Sequence, residues 1–153
     1  MRRLLSLICL FGIFTNCVIP GLATVLLLDN NSDDEIKVYF DEDSVYNEIY
    51  PDTLISDFSK DWLSNSFSPK SMRNDIRSSS NWKSVFDGRA PQDTLSLFIF
   101  ASDTLAKYSW EEVRKGYKVL ARYDLSLEDL ERLNFELSYP PDNRMQGIKM
   151  YPR

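Results

Sequence analysis

A chain of 153 residues that is 43% hydrophobic and 27% charged has room for one globular domain whose core needs no staples. Its formal charge of −5 makes a phosphate backbone a poor partner, which sets nucleic acid aside. Histidine is absent and the two cysteines, Cys9 and Cys17, lie near the N-terminus, so no Ser-His or Cys-His nucleophile and no zinc ligand set is expected in the folded part. Five glycines, with no G-x-G-x-x-G or Walker loop among them, predict no nucleotide cofactor.

The chain opens on MRRLLSLICLFGIFTNC. Arg2-Arg3 followed by the apolar run Leu4–Phe14 has the form of an export signal. One reading makes residues 1–16 a lipoprotein signal peptide and residues 17–153 a single β-rich domain tethered by lipid on Cys17. Phe14 and Asn16 then stand where a lipobox more often carries leucine and a small residue. A second reading places an ordinary signal-peptidase cut after Ala23, with Gly21 as its other small residue. The third joins Leu4–Phe14 to Val18–Leu28 as a membrane span of roughly the 20 residues required, interrupted by Thr15-Asn16 and Pro20-Gly21. The lipid reading is preferred, and processing there removes Arg2 and Arg3, leaving 16 basic against 23 acidic residues and a charge of −7.

Val25–Leu28 and Ile36–Phe40 read as two strands around the polar turn Asn30–Asp34, and predict a β-hairpin at the entrance of the fold. Ser44 to Ser84 is serine-rich and predicts loops with one or two short strands, Met72–Ser78 being a candidate for one of them. Trp82–Phe86 predicts a short helical turn ending at Asp87-Gly88. Asp93–Ala101 is apolar at both parities and predicts a strand covered on both faces. Ser109 and Glu112 form a capping box that opens a helix to Lys115, with Gly116 as its left-handed exit. A strand over Tyr117–Asp124 follows. A second box, Ser126 to Asp129, opens a helix ending near Asn134, and a last strand carries Phe135, Leu137 and Tyr139 up to Pro140-Pro141. These elements predict a mainly β fold, sandwich-like, with two or three short capped helices in the connections; the alternative is a single α+β sheet with helices on one face.

Few residues suggest chemistry. Eleven acidic residues lie between Asp29 and Asp61, yet Asp41-Glu42-Asp43-Ser44 lacks the glycine of a calcium loop and reads as a solvated face. Ser80-Asn81-Trp82-Lys83 matches S-x-x-K without its companion motifs. A carboxylate pair for glycoside hydrolysis needs no histidine, so that chemistry stays open. Trp62 and Trp82 could stack on sugar rings, whereas Trp110 reads as the apolar anchor of its helix. Asn30-Asn31-Ser32 fits a glycosylation sequon. No catalytic, cofactor or metal residue is assigned.

The stretch DTLSLFIFASDTLAKYSWEEVRKGYKVLARYDLSLEDLERLNFELSYPP, followed by IKMYP, resembles a family of small uncharacterised lipoproteins of Bacteroidota bacteria. The similarity extends back to NNSDDEIKVYF. It implies lipidation at Cys17 and a place in the bacterial cell envelope. It carries over no catalytic or binding residue. The residues after Cys17, Val18-Ile19-Pro20, are not acidic, which the resemblance associates with an outer-membrane protein facing the periplasm. The function expected is that of an envelope lipoprotein acting as a binding or assembly module on an envelope protein or glycan. The alternatives are a carboxylate-based glycoside hydrolase and a membrane-anchored assembly subunit.

Overall fold

The structure, a computed structural model, describes residues 24–40, 55, 63, 66–88, 90 and 93–151. In chain order these form β1 (Val25–Asn30), β2 (Ile36–Phe40), β3 (Ser71–Arg77), α1 (Trp82–Gly88), β4 (Leu95–Ala101), α2 (Ser102–Lys107), α3 (Trp110–Lys115), β5 (Ala121–Leu125), α4 (Leu127–Arg132), β6 (Glu136–Tyr139) and β7 (Lys149–Tyr151). The strands make two sheets, β3-β1-β6 and β2-β4-β5-β7, and the helices lie in the connections. The fold is therefore mainly β and sandwich-like; two sheets replace the single sheet of the alternative.

Strand periodicity explains the sandwich. Leu26 and Leu28 of β1 and Leu137 of β6 face Ile36, Val38, Leu97, Ile99, Tyr123 and Leu125 of the larger sheet, all buried in one cluster. Each such aliphatic side chain contributes roughly 1.5–3 kcal/mol by leaving water. The Tyr123 hydroxyl donates to the Ser138 carbonyl at 2.9 Å, linking the sheets with a hydrogen bond. Trp82, Val85 and Phe86 of α1 and Leu130 and Leu133 at α4 close one end. On the far face of the larger sheet, Tyr39, Phe98 and Phe100 are covered by Ile55, Leu105 and Val113. Strand β4 is thus buried on both faces, as its sequence predicts.

Several expectations need correction. β1 and β2 form where predicted but do not make a hairpin: β1 pairs with β3 and β6, and β2 pairs with β4. The Asn30 side chain closes the turn in place of a ladder. Its Nδ2 donates to the carbonyls of Asp34 (2.8 Å), Phe67 (3.2 Å) and Ser68 (3.0 Å), and its Oδ1 accepts from the Ser32 N–H and hydroxyl. That turn carries the chain from one sheet to the other. Both capping boxes are present, at Ser109/Glu112 and Ser126/Asp129. Gly116, however, has φ −88°, and the left-handed residue is Tyr117 at φ 45°. Glycine is required by close approach, because a Cβ at Gly116 would lie 2.9 Å from the Glu112 carbonyl oxygen. β5 starts at Ala121, since the N–H groups of Lys118 and Val119 turn back to the Val113 and Tyr117 carbonyls. Helix α2 is an addition: its N-cap is Ala101 with no side-chain cap, so no box announces it. After β6, a 3-10 turn at Asn143–Met145 leads to a further strand, β7.

The pairings also define two poles. β1 and β6 run parallel, and β3 runs against both. One pole gathers Thr24, Ser78, α1, α4 and Asn134. The other gathers the 31–35 turn, Lys70 and the start of α2, where the Ser102 N–H donates to the Glu35 carbonyl.

Candidate functional site

The outer face of the three-stranded sheet has a shallow groove of about 290 Å³ lined by Thr24, Val25, Leu27, Arg73, Asn134, Phe135 and Glu136. Its floor arises from strand alternation: Leu26 and Leu28 point into the core, so Val25 and Leu27 stay half-exposed on the other side. Arg73 and Glu136 on its wall begin an ionic chain that continues beyond the groove to Arg144 and Asp142. Arg73 Nη1 meets Glu136 Oε1 at 2.9 Å, Arg144 Nη1 meets Glu136 Oε2 at 3.4 Å, and Arg144 Nη2 meets Asp142 at 2.8 Å. The Arg144 guanidinium holds the Asp142 carboxyl below the usual carboxylate range. Three lining residues, Arg73, Asn134 and Phe135, have φ of 55°, 53° and 57°. Such angles are unusual for non-glycine residues, above all for an aromatic one, and backbone strain of this kind concentrates at functional sites. The groove offers an apolar floor with paired charges at its rim, which suits contact rather than bond-breaking. Beside it, β3 is a sheet edge that a register shift in its pairing with β1 and the charged residues Arg73, Asp75 and Arg77 blunt against strand addition.

A second polar cluster lies on the far face of the larger sheet. Arg122 Nε meets Asp124 Oδ1 at 2.6 Å, with side chains only 4% and 8% exposed. Ser96 Oγ donates to the same carboxylate oxygen at 2.9 Å, and Lys149 Nζ lies 3.6 Å from the other. The Arg122 guanidinium also sits 5.6 Å from the Phe98 ring centroid. Burial pushes the neighbouring Tyr117 phenol up, against the pull of Arg122. The cluster pairs its buried charges inside the fold and ties β5 to Ser96 of β4 and Lys149 of β7.

The residues singled out from the sequence fall as follows. Cys17, Trp62 and the Asp41–Ser44 run lie outside the described residues. Trp82 is fully buried against the core, its ring 5.6 Å from Phe40, and cannot stack on a sugar. Trp110 anchors α3 as expected, edge-on to Phe100. Lys83 pairs with Asp87 one helical turn along rather than serving Ser80. Asn30 of the sequon is wholly buried and closed to modification in the folded chain. Among the described residues no group of three or more acidic or cysteine side chains could hold a metal ion. The carboxyls of Glu111, Glu112, Asp129 and Asp142 are held below their ordinary values, the opposite of what a glycosidase acid requires.

Sequence reasoning missed the groove, because its lining comes from three separated segments. The Arg122–Asp124 pair carried a usable signal: opposite charges two positions apart in an otherwise apolar strand share one face. No family model, curated protein or solved structure matches this chain.

Proposed function

We propose that the chain is a lipoprotein of the bacterial cell envelope, acylated at Cys17, whose β domain serves as a binding or assembly module. The sequence Arg2-Arg3, Leu4–Phe14, Cys17 supports export and lipid attachment. The observation that carries the reading is the burial of the first described strand: Leu26 and Leu28 are fully buried in the sandwich, so Val25–Leu28 belongs to a sheet and not to a membrane span. The resemblance to Bacteroidota lipoproteins adds an outer-membrane, periplasm-facing position. A single acyl chain holds a protein only marginally, so durable attachment needs a multiply acylated Cys17. The groove floored by Val25 and Leu27, with Arg73 and Glu136 beside them, is the contact surface for an envelope protein or glycan.

Intact mass and N-terminal mapping of the membrane-extracted protein, beside a Cys17→Ala variant, test this. A mature chain starting at acylated Cys17, with the variant unprocessed or released, is the expected result. A start at Met1 would make the chain a membrane-anchored subunit, and a start at Thr24 a secreted protein; either overturns the lipid reading.

A further inference from the structure

We infer that the pole formed by Thr24, α1 and α4 faces the anchoring bilayer, and that the pole formed by the 31–35 turn, Lys70 and α2 faces away from it. The inference rests on the proposed anchor at Cys17 and deepens it. Covalent reach decides the matter. Seven residue steps separate Cys17 from Thr24, which span about 25 Å at full stretch. Thr24 belongs to the fold, since its carbonyl accepts the Ser78 N–H at 3.0 Å, so the tether ends there. A domain of this size has a radius of gyration of about 14 Å and measures about 36 Å across. Bringing the opposite pole to the lipid would require Thr24 to stand that full width away, beyond the tether. The domain can tilt but cannot invert.

Charge does not set this orientation. At this pole the exposed acids Asp75, Asp87, Asp93, Glu128 and Glu131 outnumber Arg77, Lys83 and Arg132, so an anionic lipid surface would not attract it. Proximity comes from the tether alone. The groove of Val25 and Leu27 then lies next to the bilayer, within reach of partners in that same membrane. The exposed Asp33 and Asp103 point into the compartment.

Both native cysteines precede Thr24, so single-cysteine labelling of the domain is clean. The full chain, with Cys9→Ser as the unlabelled-domain blank, is extracted and reconstituted in phosphatidylcholine vesicles carrying a headgroup quencher. Fluorophores are placed by Ser84→Cys (α1), Glu131→Cys (α4), Asp103→Cys (α2) and Asp33→Cys. Quenching at Ser84 and Glu131 should exceed that at Asp103 and Asp33 by more than about twofold. A flexible Gly/Ser insert of about 30 residues between Ala23 and Thr24 should erase the difference. Protein that floats with the vesicles but shows equal or reversed quenching overturns the orientation while the anchor stands. Protein that does not float overturns the anchor, and the orientation with it.

Discussion

Asn30→Asp is the smallest change that tests how the two sheets are joined. Aspartate keeps the size of asparagine and the acceptor that Ser32 uses, but it replaces two N–H donors with a second acceptor. That acceptor would face the carbonyls of Asp34, Phe67 and Ser68, where Nδ2 now lies 2.8–3.2 Å away. The Phe67 carbonyl keeps the Ile36 N–H at 3.1 Å, but the new carboxylate oxygen is buried beside it without a donor, which costs about 1–3 kcal/mol. The Asp34 and Ser68 contacts are partly buried and recover some water, which adds about 1 kcal/mol. The expected loss is therefore about 2–4 kcal/mol at neutral pH. Burial and the facing carbonyls raise the folded pKa of the new carboxyl above its unfolded value of about 3.9. The variant is thus least impaired below that value, where the protonated acid restores one donor, and the deficit grows as pH rises through the folded pKa. Urea titrations of both proteins at pH 4 and pH 7.5 measure this. A deficit under about 1 kcal/mol at pH 7.5, or one that is unchanged by pH, would refute the buried-plug account.

Arg122→Leu strips the Asp124 carboxylate of its nearest cation and should cost about 3–5 kcal/mol in urea unfolding. Arg122→Leu with Asp124→Val should cost less than the single change; a single change that is harmless would mean that Lys149 suffices. Ser126→Ala removes the cap of α4 and should cost about 1 kcal/mol. Partial burial pushes the Asp129 carboxyl up, but the Ser126 N–H and hydroxyl and Arg132 outweigh it and hold the carboxyl below its ordinary value. Its contribution is accordingly complete above the unfolded pKa and lost as pH falls through the folded one, so the gap between the natural protein and Asp129→Asn should close below about pH 4. A gap that widens on acidification would contradict the capping geometry.

Local signals reported local structure well. Two Ser-x-x-acid boxes marked two helices, and the apolar run before Ala101 marked the doubly covered strand, because capping and burial depend on near neighbours. Pairing was another matter. Ile36–Phe40 alternates as a hairpin strand would, yet its partner is Leu97–Ala101, and nothing in a polar turn says whether it reverses within a sheet or crosses between two. The groove was hidden for the same reason: Val25 and Leu27 meet Phe135 and Arg73 only through β1 pairing with strands far along the chain. Helix α2 escaped because its start uses no side-chain cap. Strain at Asn134 and Phe135 follows from the tight exit of α4 into β6, which the sequence does not display.

The first described strand is the middle strand of its sheet, and this bears on when that sheet can form. Leu27 pairs with Glu136, 109 positions later, so the smaller sheet cannot close until β6 has been made. Non-local pairing of this kind slows folding, because a long loop must be closed before any contact rewards it. A nascent chain therefore remains without its finished fold throughout synthesis of β2 to α4. An export channel that accepts only unfolded polypeptide would meet a substrate that is late to fold by construction.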